Sequence, residues 1–203
     1  DINADWRKHY TGLTTVSSGT LNLAPSGDGE IRLVGGMVNN ANVSFDGSMR
    51  GSIGGGTFIN GASGSGTWTV SGTTSGRGAF NNRLVLEGNT TISGQVTVTN
   101  YGNFWLESTG INATSPIFLD GANTYLNIYN LTNTVMKIGA LSGNGRVLAQ
   151  GAGVLTLSLG NGDGSGTFSG VIANSSAVMA LPKAGSGTQT LSGTNTYSSI
   201  TTI

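Results

Sequence analysis

The sequence predicts an all-β solenoid. The evidence is clearest in residues 164–203, where runs of two to five β-forming residues alternate with Gly, Ser and Asn. No run is long enough for a helix, and the 35 glycines among 203 residues recur too often to permit one. Each run is therefore interpreted as a very short strand followed by a turn, the pattern of stacked solenoid coils.

Composition excludes several classes of function. Nine basic and nine acidic residues give a formal net charge of zero, so we expect no general attraction to nucleic acid or to an anionic membrane. The absence of cysteine excludes disulfides, thiolate metal sites and cysteine nucleophiles. No apolar run approaches the length of a membrane span. The chain starts with Asp1 rather than Met, which we interpret as a processed mature end or an arbitrary boundary.

Residues 1–10 differ from everything that follows. The densest charged and aromatic cluster of the chain runs from Asp5 to Tyr10 and contains Trp6 and His9. Such a segment can cap the first coil and protect its open edge from aggregation. It can equally be a docking arm that contacts another subunit, and the sequence leaves both interpretations open.

The two ends of the chain resemble each other. Residues 10–16 read Tyr-Thr-Gly-Leu-Thr-Thr-Val, and residues 197–203 read Tyr-Ser-Ser-Ile-Thr-Thr-Ile. The first copy is followed by a Gly-Thr-Leu-Asn-Leu strand at residues 19–23, whereas the second copy ends just before such a strand. The chain is therefore predicted to begin and end in nearly the same phase of a repeat.

The interior is predicted to form successive coils. Strand candidates recur at short, fairly regular intervals that fit two or three strands per coil. They are residues 31–34, 43–45, 57–59, 67–70, 84–86, 91–92, 96–98, 104–106, 117–119, 125–128, 136–138, 146–148, 154–159, 167–172 and 177–181. The dipeptides Asp46-Gly47 and Asn60-Gly61 are also typical of tight hairpins, so an antiparallel sandwich stays open.

Coil size follows from these intervals. A Gly-x-Gly-x-x-Thr-Leu-Ser pattern at residues 151–158 recurs at residues 185–192, which we interpret as a repeat of one and a half to two coils. Coils of roughly 20 residues, each adding about 4.8 Å, give about ten coils and a rod of roughly 50 Å. Inward Val, Ile, Leu and Phe would stack, and outward Thr, Ser and Asn would form ladders. No composition break is present, so residues 1–203 are predicted to form a single domain.

Several segments also resemble the autotransporter-associated β-strand repeat of secreted bacterial surface proteins. They are the motifs at residues 166–172, 181–188 and 190–197, extended upstream by residues 138–145 and 154–157 and matched again near the N-terminus. The resemblance implies a right-handed parallel β-helix, secreted or at the cell surface, that serves as a stalk or an adhesin. It implies no catalytic motif and no cofactor.

Catalytic residues are sparse. Glu87 and Glu107 are about one coil apart, so they can lie one above the other on the same face, with Asp120 near them. Parallel β-helix glycan-degrading enzymes use such carboxylates, but isolated solvated charges explain them equally. A Ser-His-Asp triad would have to use His9, the only histidine, which lies in the atypical N-terminal segment. We therefore predict no catalytic residues.

Other candidate sites are weaker still. Residues 160–166 resemble one calcium-binding nonapeptide turn, but such sites need consecutive copies, so a Gly-rich turn without metal is expected. Asn-x-Ser/Thr sequons begin at residues 42, 89, 112, 130 and 174 and are expected by chance in this composition. Trp68, Trp105 and Tyr125 can form an aromatic face for a cell-surface or matrix glycan, or lie half-buried at coil corners.

The sequence thus predicts an extracellular structural or adhesive solenoid. We expect it to stack head to tail into a filament because each terminal coil exposes unpaired backbone groups and an apolar cross-section. A fragment of an autotransporter-type passenger and a tailspike-like glycan-degrading enzyme are the alternatives. The predicted subunit interface consists of Trp6, His9, Tyr10, Thr14, Val16, Tyr197, Ile200 and Ile203.

Overall fold

Short runs of β-branched and aromatic residues form strands of two to six residues, separated by Gly, Asn and Ser at the corners. The computed structural model describes residues 7–25, 29–47, 56–72, 83–108, 110–130 and 135–203, and these contain no helix. Among them, no helix is therefore present that could cross a membrane. Residues 1–6, including the predicted interface residue Trp6, lie outside the described residues.

The strands are, in chain order, β1 Arg7–Tyr10, β2 Thr14–Val16, β3 Thr20–Leu23, β4 Glu30–Leu33, β5 Met37–Asn39, β6 Asn42–Asp46, β7 Gly56–Asn60, β8 Ala62–Gly64, β9 Thr67–Ser71, β10 Arg83–Glu87, β11 Thr91–Ile92, β12 Val96–Thr99, β13 Asn103–Leu106, β14 Ile117–Leu119, β15 Tyr125–Asn130, β16 Val135–Lys137, β17 Leu141–Gly143, β18 Arg146–Gly151, β19 Val154–Ser158, β20 Gly166–Phe168, β21 Val171–Asn174, β22 Val178–Ala180 and β23 Gln189–Leu191.

These strands wind into a parallel β-solenoid with three faces. The first face is an eight-stranded sheet, β1-β4-β7-β10-β13-β15-β18-β21, and the third face is a second one, β3-β6-β9-β12-β14-β17-β20-β23. The second face consists of β2-β5-β8-β11 and of β16-β19-β22, and isolated bridges such as Thr90 with Ile111 and Asn112 with Lys137 lie between them. The predicted solenoid is confirmed.

All described strand pairs are parallel, which rules out the antiparallel sandwich. The dipeptide at residues 60–61 turns a corner between β7 and β8 and does not close a hairpin. Gly61 there has φ of 86°, a conformation that glycine adopts without steric cost.

Coils are fewer than predicted, and they differ in length. One coil advances from Leu84 to its register partner Phe104, whereas the coil before it advances from Gly56 to Arg83 and uses a longer stretch of chain. Each long face consequently has eight strands, and the prediction of about ten coils was too high. The sequence repeat between residues 151–158 and 185–192 is also not a structural one, because residues 156–157 lie on the second face and residues 190–191 on the third.

The core is a set of stacked columns inside the three faces. One column on the third face crosses the whole described structure through Leu23, Phe45, Val70, Val98, Leu119, Gly143, Phe168 and Leu191. The adjacent outward column includes Asn22, Ser44, Thr69 and Thr97, and it continues to Phe118 and Ser142. Polar ladders outside and apolar stacks inside are as predicted, except that the exposed Phe118 interrupts the ladder.

Candidate functional site

The first and last described coils are in the same phase of the winding. On the first face, Tyr10 begins an unbroken column of register partners that ends at Asn174 in β21. The members between them are Leu33, Ile59, Leu86, Leu106, Ile128 and Ala149. The amide of Thr196 donates to the carbonyl of Ile172 at 2.9 Å, which places Tyr197 beside Asn174. Tyr10 and Tyr197 therefore occupy equivalent positions at opposite ends of one column.

The remaining faces of the last coil are also formed. The amide of Leu181 donates to the carbonyl of Ile200 at 3.0 Å, and that of Lys183 donates to the carbonyl of Thr202 at 2.7 Å. Residues 200–203 therefore continue the second face. They are its last segment, and β2 is its first strand. On the third face, β23 pairs with β20. The last coil thus has segments on the first and second faces, whereas the third face ends with β23, which precedes them in the chain.

Apolar side chains are exposed in both end coils. In the first coil Tyr10 is 50% and Leu13 64% exposed, and in the last coil Ile200 is 73% and Ile203 100% exposed. A solitary exposed apolar residue is ordinary, but two in each of the matching end coils are what a stacking surface would present.

The predicted interface residues fall into these coils, apart from Trp6. His9 and Tyr10 lie in β1, and Thr14 and Val16 lie in β2, where the Val16 side chain already packs into the core. In the last coil, the half-buried Tyr197 packs against the core. Its hydroxyl lies 2.7 Å from the Thr201 hydroxyl. Their assignment to a subunit interface stays a prediction.

A second cluster lies on the outer surface of the first face. Phe58, Val85 and Trp105 are register neighbours in β7, β10 and β13, and they are buried although they point away from the core. Tyr129 packs against them, with its ring centroid 5.8 Å from that of Trp105. The signal in the sequence is the outward position between inward residues, for example Leu84 and Leu86 on either side of Val85.

Two arginines cover this aromatic cluster. The Arg32 guanidinium carbon lies 4.2 Å from the centroid of the Phe58 ring, and that of Arg83 lies 4.6 Å from the Trp105 ring. Both distances are within the range of a cation–π interaction. Arg32 also binds Glu30, and its Nη1 lies 3.6 Å from Oε2 of Glu87. Neither arginine was predicted from the sequence as part of a site.

Glu87 and Glu107 are neighbours on one face, as predicted. Leu86 and Leu106 are register partners, so the carboxylates that follow them lie on adjacent coils. Burial raises the pKa of both carboxyl groups, and attraction to Arg32 and Arg83 opposes that shift. Burial also lowers the pKa of Arg83. The cluster is a partly desolvated network of opposite charges, which can hold the sheet surface together.

Asp120 is not part of this cluster. It follows β14 at the corner between the third and first faces, whereas Glu107 follows β13 at the corner between the first and second faces. The expectation that Asp120 lies near the two glutamates was wrong. The reason is that Asp120 and Glu107 lie at opposite edges of the first face.

The other predicted sites are dispersed. Trp68 is 1% exposed and lies in the core, so Trp68, Trp105 and Tyr125 do not form one accessible aromatic face. In the glycine-rich turn, the carboxylate of Asp163 accepts a 2.7 Å hydrogen bond from the Ser186 amide, which lowers the pKa of Asp163. The described residues contain no group of three His, Asp or Glu side chains that could hold a metal ion.

The end coils also carry the similarity to known sequences. A family model described as the passenger-associated-transport-repeat matches residues 8–23 and 181–203. Residues 8–23 form the first coil. Residues 181–203 run from the end of β22 through β23 to the last coil. No curated protein and no solved structure matches significantly. The first and last coils are thus similar in sequence to the passenger-associated-transport-repeat, the repeat of autotransporter passengers.

Proposed function

We propose that this chain is a mechanical element of a secreted or surface-exposed bacterial rod, and that its two end coils stack on further copies of the same chain. The observation that carries the proposal is the equivalence of Tyr10 and Tyr197 at the two ends of one column. Because Tyr10 and Tyr197 occupy the same position in the winding, a second copy continues the first and second faces without a change of register.

The predicted contact has defined partners. The pairs that meet are Tyr197 with Tyr10, Ile200 with Leu13, and Ile203 with Val16. The contact would bury apolar side chains that are exposed in both end coils and pair free backbone groups on the first and second faces. Since the contact is head to tail and does not close on itself, it produces a filament.

The family match supports the secreted or surface location, because passenger repeats belong to autotransporter proteins. It fits equally a segment of a longer passenger. In such a protein the end coils would stack on neighbouring coils of the same polypeptide, and the same surfaces would serve an intramolecular role.

We propose a mechanical role in preference to catalysis because Glu87 and Glu107 lie in a network with Arg32 and Arg83. Their adjacent positions and raised pKa values are nevertheless what a glycan-degrading acid–base pair would use. Incubation with polysaccharides and comparison with the Glu87→Gln/Glu107→Gln double variant tests this. Hydrolysis that is lost in the double variant would favour the enzyme.

Electron microscopy and sedimentation of the purified 203-residue chain test stacking. We expect concentration-dependent rods that are many times longer than one chain. The Ile200→Asp/Ile203→Asp double variant should stay monomeric and folded, because both side chains are exposed and the change places charges in the contact.

The matched control is Val135→Asp/Val154→Asp, which changes two exposed valines on the second face, away from both ends. It should assemble like the parent chain. A parent that stays monomeric at high concentration, or an Ile200→Asp/Ile203→Asp variant that still forms long rods, would contradict the proposal.

A further inference from the structure

The corner between β12 and β13 has an unusual backbone. Asn100 has φ of 46° and Tyr101 has φ of 63°, so two consecutive residues other than glycine adopt the left-handed conformation. This conformation is uncommon for a bulky residue, and a residue held in it costs about 1–3 kcal/mol. Tyr101 nevertheless stays 40% exposed, so packing of its ring does not account for this cost.

Neighbouring glycines allow this corner to approach the coil before it. A Cβ atom at Gly72 would lie 3.0 Å from the Tyr101 carbonyl oxygen, and one at Gly102 would collide with the Val70 carbonyl oxygen. The Gly72 amide donates to the Asn100 carbonyl at 2.8 Å. The backbone that carries the Tyr101 ring is therefore fixed against the adjacent coil.

Tyr101 lies between two cavities. One of about 380 Å³ is lined by Asp46, Ser71, Gly72, Asn100 and Tyr101. The other, of about 180 Å³, is lined by Asn100, Tyr101, Asp120, Gly121, Ala122, Asn123 and Thr124. Both cavities are lined by Asn100 and Tyr101, and their other lining residues come from successive coils, so the two cavities are neighbours along the rod axis. The two cavities together are termed the groove.

The groove is polar at regular intervals. Register pairing aligns Asp46 with Ser71 and Ser71 with Thr99 on successive coils. The Thr99 hydroxyl donates to Oδ2 of Asp120 at 3.3 Å, which continues this row of polar side chains into the second cavity. A ligand lying along the axis therefore meets side-chain oxygens of Asp46, Ser71 and Asp120.

We propose that this groove binds an uncharged oligosaccharide along the rod axis. A sugar ring presents a C–H surface that can stack on an aromatic side chain, and hydroxyls that bond to carboxylates, hydroxyls and carboxamides. A central aromatic group with a few convergent polar groups is the usual lining of a small-molecule site. The described lining contains two carboxylates, Asp46 and Asp120, and these disfavour an anionic glycan.

Calorimetric titration of the 203-residue chain with uncharged β-glucan, α-glucan and chitin oligosaccharides tests the proposal. At least one series should bind, and Tyr101→Gly should weaken its binding roughly tenfold or more. Glycine tolerates the left-handed backbone, so this variant should melt at the same temperature as the parent or higher. Tyr101→Phe keeps the ring and should retain most of the affinity.

Phe118→Ala is the matched control, because Phe118 is exposed to a similar degree but lines neither cavity. It should bind like the parent. If Tyr101→Gly does not fold, Tyr101→Asn replaces it, since asparagine also tolerates this backbone. Absence of binding in all three series at millimolar concentration, or equal losses in Tyr101→Gly and Phe118→Ala, would overturn the proposal.

Discussion

Asn127 donates a 2.6 Å hydrogen bond from Nδ2 to Oδ1 of Asn103 on the neighbouring strand of the first face. Both side chains point away from the core, yet both are buried. The same Asn103 oxygen accepts a 2.8 Å bond from the indole of Trp105, and Oδ1 of Asn127 accepts from Gln150. The outer surface of this sheet is therefore a second packed region, connected by a ladder of side-chain amides.

Replacing Asn127 by leucine should destabilise the protein by about 1–3 kcal/mol, because the buried amide of Gln150 loses its acceptor. Thermal or urea unfolding of the variant measures this. Asn22→Leu is the control, since Asn22 is exposed on the third face, and it should stay within about 0.5 kcal/mol of the parent. Equal effects of the two substitutions would mean that the amide ladder contributes nothing specific.

Gly143→Ala should destabilise the protein by about 1–3 kcal/mol or more. Gly143 has φ of 98°, and a Cβ atom there would collide with the carbonyl oxygen of Leu119. Gly12→Ala is the matched control, because no heavy atom lies within 4 Å of the added Cβ. Unfolding midpoints that fall equally for both variants would contradict this account of the corner.

The Glu107→Gln variant should change how stability depends on pH. Burial raises the pKa of the Glu107 carboxyl, so its contribution to stability is complete below its ordinary value of 4.5 and is lost as pH rises through the higher folded value. The melting temperature of the parent, relative to that of the variant, should therefore fall from about pH 3 to about pH 8. A difference that is constant across this range would show that Glu107 is not desolvated.

The Asp163→Asn variant should change the pH dependence of stability with the opposite sign. The hydrogen bond from the Ser186 amide lowers the pKa of Asp163, so its contribution is present above its ordinary value of 3.8 and is lost as pH falls through the folded value. The melting temperature of the parent, relative to this variant, should fall on acidification. If the Glu107→Gln and Asp163→Asn variants changed the pH dependence of stability in the same direction, the environment assigned to at least one of the two carboxyl groups would be wrong.

Particular residues show how far sequence reasoning could go. The spacing of Glu87 and Glu107 predicted their alignment, because the coil between Leu84 and Phe104 has the same length as that spacing. Strands β5 and β8 were not predicted. The residues of β8, Ala62–Gly64, are small and carry no β-forming signal. Pairing with the neighbouring coil imposes their extended conformation.

The sequence alone determined that the chain forms short strands with glycine corners, and that residues 10–16 and 197–203 are copies of one unit. Local composition and direct comparison of segments suffice for both statements. Only the tertiary structure decided that Arg83 covers Trp105, that Trp68 is internal, and that Asp120 is remote from Glu107. The physical reason is that coil length varies, since the coil that begins at Gly56 is longer than the coil that begins at Leu84. Residues on different coils therefore meet according to the hydrogen-bonded register of their strands and not according to their spacing in the chain.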